Sequence, residues 1–321
     1  KEIFFVKNIF SDIKINNLKK KYFEIQDEIN SLLIGSKVSK FQKDNSNKKF
    51  SVKSNISKKR FFQIVNKAKQ YIKKGDIFQV VLSQRFESKL TKKPIEIYKK
   101  LRVTNPSPFM FFFNFNDFQI IGASPEILVR LRNNVITVRP IAGTRPRGRN
   151  NKEDNLLKKD LINDKKELSE HLMLLDLGRN DAGKVSKINT IKVTEKFKIE
   201  KYSHVMHIVS NVTGIYDKKF SKFEALMAGF PAGTVSGAPK IRAMEIIDEL
   251  EKNSRKIYAG GIGYFSANGD FDTCIALRTA VTKNNKFYVQ AGAGIVADSK
   301  PINEYNETIN KAKALIKSLE K

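Results

Sequence analysis

Between Phe109 and Arg139 four apolar segments of strand length follow one another, near 109–115, 118–122, 127–131 and 135–139, with only two to four residues between them. Gaps this short join antiparallel neighbours, whereas parallel strands need crossovers of about a dozen residues or more, so a strict βαβ repeat is disfavoured. Further strands are expected near 77–82, 187–193, 205–213, 259–265, 273–281 and 287–292, and helices near 94–103, 164–178, 221–228, 239–252 and 302–319. Another helix starts after Ser57, a candidate N-cap, with Phe61, Phe62, Val65, Ala68 and Ile72 on one face and Gly75 where a C-terminal cap belongs. Pro94 and Pro239 suit first helical turns. The pattern reads as α+β, built on large mixed or antiparallel sheets with flanking helices, without an internal repeat.

Ile3 to Val6 is strand-like, and residues 36–59, rich in Lys, Ser and Asn, read as a linker or long loop. The chain begins at Lys1 and reads as a fragment or a processed product; residues 1–30 lack a signal-peptide pattern. With 40% hydrophobic residues among 321, there is enough apolar material for a sizeable core. No apolar run approaches the roughly 18 residues of a membrane span. Cys274 is the single cysteine, which excludes an internal disulfide and a multi-cysteine zinc site and reads as a small buried hydrophobe in a reducing compartment.

The formal charge of +27 invites a nucleic-acid reading, but only 13 of the 60 basic residues are arginine, the residue suited to bidentate phosphate and base contacts. The surplus is diffuse and mostly in the first hundred residues, and a solvated lysine-rich surface accounts for it.

Two carboxylate pairs have helical i, i+3 spacing: Glu167 with Glu170, and Glu304 with Glu307. Each pair aims at one side of its helix. Two such helices face to face could hold a hard cation, for which oxygen-only ligands favour Mg²⁺; from spacing alone, solvated helix faces remain the commoner outcome. Three glycine-rich stretches, 141–144, 233–240 and 291–294, read as turns whose backbone N–H groups can approach an anion. The second lacks P-loop spacing. The third superficially matches a dinucleotide fingerprint, which Asp298 to Pro301 interrupts. His171, His204 and His207 each have a structural reading. Arg278, amid apolar residues, must be paired, and a bound carboxylate would serve.

Taken in order, these segments resemble the chorismate-utilising enzymes, most closely component I of anthranilate synthase, from about Lys58 onward. The resemblance is carried by Gly-Asp-Ile-Phe-Gln-Val-Val (75–81), Gly-Ala-Ser-Pro-Glu (122–126), Arg-Pro-Ile-Ala-Gly-Thr-Arg-Pro-Arg-Gly (139–148) and Glu-Leu-Ser-Glu-His…Gly-Arg-Asn-Asp (167–181). Tyr-Ser-His-Val-Met-His (202–207), Gly-Thr-Val-Ser-Gly-Ala-Pro-Lys (233–240), Tyr-Ala-Gly-Gly-Ile-Gly-Tyr (258–264), Asp-Thr-Cys-Ile-Ala-Leu-Arg (272–278) and Gln-Ala-Gly-Ala-Gly-Ile-Val (290–296) continue it.

The resemblance implies the chorismate-utilising fold and a carbon–oxygen lyase of tryptophan biosynthesis that turns chorismate and ammonia into anthranilate and pyruvate. It implies Mg²⁺ on Glu170 and Glu307, helped by Glu167 and Glu304, acting on the ring carboxylate as a Lewis acid. The enolpyruvyl carboxylate would meet Arg278, Tyr258 and the N–H groups of Gly292, Ala293 and Gly294, with Gly143 and Thr144 completing the ring pocket and Thr234 close by. Glu126 matches the general acid and His207 the catalytic histidine. Gln79 and Ala142 stand where isochorismate and aminodeoxychorismate synthases, respectively, carry functional lysines, so aminodeoxychorismate synthase component I is the alternative within the family and a basic nucleic-acid-binding protein the alternative outside it. The resemblance further implies a glutamine amidotransferase partner (component II), a cytoplasmic setting, and neither a nucleic-acid nor a membrane partner. Asn105 to Met110, with Pro108, Phe109 and Met110, matches part of a tryptophan feedback site whose other segment is not found. Residues 1–56 are accordingly expected to be a remnant of a regulatory region and linker, and 57–321 the chorismate-binding catalytic domain.

Overall fold

The structure, a computed structural model, describes residues 16–35, 51–202 and 205–319. The chain divides into two compact units, and in the first, Lys1–Lys48 with Lys321, the described element is helix α1 (Asn16–Gly35). The strand expected at residues 3–6, most of the linker segment, and His204 lie outside the described residues.

The second unit, Lys49–Glu320, holds two seven-stranded sheets, antiparallel in every pair. In chain order its elements are β1 (Lys53–Ser54), α2 (Lys58–Lys73), β2 (Gln79–Lys89), α3 (Pro94–Thr104), β3 (Phe109–Asn114), β4 (Phe118–Ser124), β5 (Ile127–Arg132), β6 (Val135–Val138) and β7 (Ile141–Pro146). Then follow α4 (Asn151–Asn163), α5 (Lys165–Gly183), β8 (Lys192–Lys201), β9 (Val205–Ile215), α6 (Lys222–Ala228), a 3-10 turn (Gly233–Val235), β10 (Gly237–Ala238) and α7 (Lys240–Leu250). The last are β11 (Gly261–Phe265), β12 (Phe271–Ile275), β13 (Thr279–Lys283), β14 (Lys286–Ile295) and α8 (Pro301–Leu319). The first sheet runs β1-β2-β14-β13-β4-β3 with β10 also on β2, and the second β11-β12-β5-β6-β9-β7 with β8 also on β9.

Local sequence explains much of this. Ser57 caps α2 by accepting from the Arg60 N–H (3.2 Å), and Gly75 just beyond the helix has φ +84°. Phe61, Ile64, Val65 and Ala68 bury the face that packs with β2 and α7, so Ile64 takes the place expected of the half-buried Phe62. Helices α3 and α8 pack on the first sheet through Ile97, Leu101, Ala312 and Leu315. On the second sheet, Leu175 and Ala182 of α5 and Ala225 of α6 join Leu128, Leu131 and Ile136. Cys274 is buried with Phe111 and Ile120, and burial pushes its thiol up to about 11, as an inert apolar residue requires.

Several expectations are corrected. Residues 53 and 54, inside the segment read as linker, pair with β2. The glycine-rich stretches at 141–144 and 291–294 lie within β7 and β14 instead of turns. Pro239 is the N-cap of α7, one residue outside the helix. The strand expected at 187–193 begins at Lys192, and α4 is additional. The strand expected at 273–281 breaks at 276–278, because there the chain leaves the second sheet after β12 and enters the first at β13. No described helix is long and apolar enough to cross a membrane.

Candidate active site

The chain passes between the sheets at two adjacent points, from β4 to β5 through Pro125 and Glu126, and from β12 to β13 through residues 276–278. The two crossings are bonded together: the Ile275 N–H donates to the Glu126 carbonyl (3.0 Å) and the Ala123 N–H to the Arg278 carbonyl (3.2 Å). Arg278 takes the left-handed conformation, φ +46°, at its crossing. A carboxyl and a guanidinium are thereby brought to the junction of the sheets, near enough for their charges to interact.

Glu126 is 6% exposed, and burial pushes its carboxyl up to about 8, only partly offset by the charges of Lys311 and Arg278. It is therefore a protonated carboxylic acid at neutral pH. Arg278 is itself largely desolvated, which lowers its pKa, and among the described residues no hydrogen bond or ion pair holds its guanidinium. A ligand carboxylate is the partner its chemistry asks for.

These two groups line a cavity of about 560 Å³. From β7, Gly143 and Thr144 join its wall at a β-bulge, where Gly143 has φ +73° and the register against β9 shifts. Opposite Thr144 on β9 stands His207, whose Nδ1 lies 3.1 Å from the Gly143 carbonyl and 3.0 Å from Thr144 Oγ1. A carbonyl can only accept, so Nδ1 carries the proton and Nε2 keeps its lone pair. Burial holds the His207 pKa below the usual histidine value, aided by the Arg278 charge, so the ring is neutral at physiological pH.

On the far wall Tyr258 is fully buried, its hydroxyl pushed up to about 12 by desolvation. A Cβ on Gly292 would come within 2.7 Å of that hydroxyl, which is why a residue without a side chain sits there. Thr234 enters from the 3-10 turn.

Helix α5 packs on β7 and β9, and α8 on β14, so that Glu167, Glu170, Glu304 and Glu307 all line the cavity. Three of the acids have their own support: Glu167 accepts from Arg145 (3.1 Å), Glu170 from Gln79 Nε2 (2.9 Å) and Glu307 from Lys311 (2.7 Å). Burial raises the Glu170 pKa first, and repulsion from Glu167 and Glu307 adds to it; Glu304 is raised by burial and then by Glu307. The acids of the two helices thus feel one another across the cavity. Among the described residues no three His, Cys, Asp or Glu side chains already converge as a closed metal site. The donor set, carboxylate oxygens alone with mutual repulsion that a cation would relieve, suits a hard divalent ion.

Most of the residues singled out from sequence are thus brought together: Glu126, Gly143, Thr144, Glu167, Glu170, His207, Thr234, Tyr258, Arg278, Gly292, Gly294, Glu304 and Glu307 line one cavity. Ala293 does not line the cavity; it alternates to the opposite side of β14 and is fully buried opposite Leu82. Pro108, Phe109 and Met110 lie elsewhere, at the start of the edge strand β3, with Pro108 exposed and Phe109 packed against the Phe111 cluster. His171 is a core residue bonded to Ser210 Oγ (2.7 Å), and burial drives its pKa down to about 4. Sequence reasoning gave no role to Lys311, which lines the cavity and donates to the Gly292 carbonyl (3.1 Å). Its place four residues after Glu307, on the same helical face, was the available signal. Oε1 of Gln79 is buried there without a hydrogen-bond partner among the described residues, an open acceptor that a bound ligand would satisfy.

The profile of chorismate binding enzymes matches residues 7–317. The chain belongs to this family. Anthranilate synthase component 1 of Cereibacter sphaeroides is 61% identical over 269 residues, which are 84% of this chain and 54% of that protein. The chain spans about half the length of such curated relatives. The crystal structure of anthranilate synthase component I from Streptococcus pneumoniae superposes with a TM-score of 0.84 at 45% identity, covering 95% of this chain and 67% of that one. A putative 2,3-dihydroxybenzoate-specific isochorismate synthase from Bacillus anthracis superposes with a TM-score of 0.75 at 27% identity, covering 85% and 75%.

In this member of the chorismate-binding family, Gly143 ties the bulge to the site. A Cβ there would lie 3.0 Å from Ile208 Cδ1 and 3.2 Å from Glu167 Oε2, in a backbone conformation that costs an L-residue about 1–2 kcal/mol. Gly143→Ala is expected to lower the unfolding free energy by an amount of that order, read from urea unfolding curves of the two proteins.

Proposed function

We propose that the chain carries the catalytic site of an anthranilate synthase large subunit, forming anthranilate and pyruvate from chorismate and ammonia. Arg278 and Tyr258 receive the enolpyruvyl carboxylate together with backbone N–H groups near Gly292 and Gly294. Gly143 and Thr144 bound the ring. Glu126, protonated at neutral pH, donates its proton to the C4 hydroxyl, which leaves as water while ammonia attacks C2. The neutral His207, with a free lone pair at Nε2, takes the C2 proton as the C3–O bond breaks and the ring becomes aromatic, and the enolpyruvate released takes up a proton at its methylene carbon to become pyruvate.

Glu170 and Glu307, supported by Glu167 and Glu304, would hold Mg²⁺, which when bound supplies Lewis-acid polarisation at the ring carboxylate. The choice of ammonia over water or an enzyme amine is supported by Gln79 and Ala142, which both open onto the cavity without a lysine amine, while the two lysines that line it are engaged, Lys166 with Asp298 and Lys311 with Glu307 and the Gly292 carbonyl. Gln79 is committed instead to Glu170 through its Nε2. The curated relative's name, component 1, supports a second component as partner, which we take to be a glutamine amidotransferase delivering ammonia. Residues 57–321 form the proposed catalytic domain and 1–56 a remnant of a regulatory region and linker, with tryptophan at Pro108 to Met110 as the proposed inhibitor contact and the cytoplasm as the proposed location.

The test incubates the purified chain with chorismate, MgCl₂ and ammonium at mildly alkaline pH and follows anthranilate fluorescence. Turnover that requires all three components supports the assignment; no fluorescence in any combination overturns it.

A further inference from the structure

Behind the cavity wall one guanidinium joins segments that the cavity needs in register. Arg255 sits in the connection between α7 and β11 with 17% of its side chain exposed. Its Nε donates to Glu251 Oε2 (2.9 Å) and its Nη2 to Glu251 Oε1 (2.7 Å). Nη1 donates to the Val235 carbonyl and Nη2 to the Val81 carbonyl, both at 2.6 Å, and the guanidinium carbon stands 5.5 Å from the centre of the Tyr258 ring. Glu251 in turn accepts from the Ser83 N–H (2.8 Å) and hydroxyl (2.9 Å), and Ser83 Oγ accepts from Gln290 Nε2 (2.8 Å). Val81, Val235, Tyr258 and Gln290 all line the cavity, and they come from β2, the 3-10 turn, the 255–260 connection and β14.

We infer that Arg255 is a positioning residue for substrate binding: through Glu251 and two backbone carbonyls it locks these four segments, and its stacking fixes the ring of Tyr258. This rests on the proposed function, in which Tyr258 receives a substrate carboxylate. Only a planar fork reaches a carboxylate and two carbonyls from one atom cluster; a lysine ammonium, with three donors on one nitrogen, does not span them. Loss of the fork frees the segments it joins, and small misplacements at a binding site are costly.

The experiment measures kcat and KM for chorismate and for ammonium with the full chain, for wild type, Arg255→Lys, Tyr258→Phe and the double variant, below the melting temperature of each. Arg255→Lys is expected to raise KM for chorismate roughly tenfold or more, to leave KM for ammonium unchanged, and to add little to the effect of Tyr258→Phe. Because Arg255 is buried among carbonyls, Glu251→Gln is the companion variant; it retains the arginine and is expected to shift KM the same way by less. A chorismate-induced rise in Tm provides a second readout independent of turnover, large for wild type and diminished for Arg255→Lys. Unchanged KM with only a lower Tm, or effects of Arg255→Lys and Tyr258→Phe that simply multiply, would overturn the inference while wild-type turnover leaves the function standing. A wild type that shows neither turnover nor a chorismate-induced shift overturns both.

Discussion

Replacing Glu126 with glutamine lowers kcat for anthranilate formation by roughly 10²–10⁴-fold, the range expected for loss of a general acid, with KM for chorismate little changed. The isosteric amide keeps the volume and the neighbours but has no proton to give. In the wild type the protonated carboxyl is the active form, so kcat/KM for chorismate falls as pH rises through about 8. On the acid side His207 must be neutral, and since burial lowers its pKa, activity is retained until the pH is below the ordinary histidine range. The same substitution has an opposite effect on stability. Glu126 has its folded-state pKa raised from 4.5 to about 8, so between these values the folded chain binds the extra proton and wild-type stability declines as pH rises. Glu126→Gln removes that decline and is expected to melt above wild type in alkaline buffer, converging with it in acid. A stability–activity trade-off of this sign is the mark of a carboxyl buried for chemistry. Equal pH profiles for the two proteins would sink this role for Glu126.

Glu307→Ala is expected to reduce turnover by about 10²–10³-fold at a MgCl₂ concentration that saturates the wild type, since several kcal/mol of Lewis-acid stabilisation depend on the ion being held. Removal of this carboxylate also leaves Lys311, now bonded to it at 2.7 Å, with the Gly292 carbonyl as its remaining partner, and the cavity with one acid fewer. Raising MgCl₂ restores part of the rate if Glu170, Glu167 and Glu304 still gather the ion. Thermal melting gives a check that does not depend on turnover: MgCl₂ raises the wild-type midpoint by mass action, and the rise is smaller for Glu307→Ala. Identical magnesium titrations in rate and in melting would remove Glu307 from the cation site.

How much of this was legible before the fold was known depended on whether the signal was local. Helix α2 announced itself through a cap, an apolar face and Gly75, and the carboxylate pairs of α5 and α8 through i, i+3 spacing. Helix α4 did not, because it is capped by Asn150 but buries little beyond Leu161, while Leu156 is 61% exposed and so blurs the periodicity. Strand β8 was misplaced because it lies beside β9 at the margin of the sheet, and its charged alternation resembles a loop. Arg278 reads from sequence as a charge needing a partner, and its neighbours read as one strand because nothing local marks a change of sheet. The glycines of β7 and β14 looked like turns; their absent side chains instead make room for a bulge and for the Tyr258 hydroxyl, both set by distant segments. Arg255 gave only the i, i+4 spacing to Glu251, since its other hydrogen-bond partners, at Val81 and Val235, are backbone carbonyls. The +27 charge suggested a polyanion, whereas the cavity couples acids suited to a small cation with Arg278 suited to a small carboxylate.

The central claim is that this cavity directs ammonia to chorismate and carries the adduct through to an aromatic amine. Mass-spectrometric identification of the product from chorismate, MgCl₂ and ¹⁵N-ammonium tests it most directly. The account predicts ¹⁵N-anthranilate with an equal amount of pyruvate. Isochorismate, a 4-amino product that keeps its enolpyruvyl group, or unchanged chorismate would contradict it.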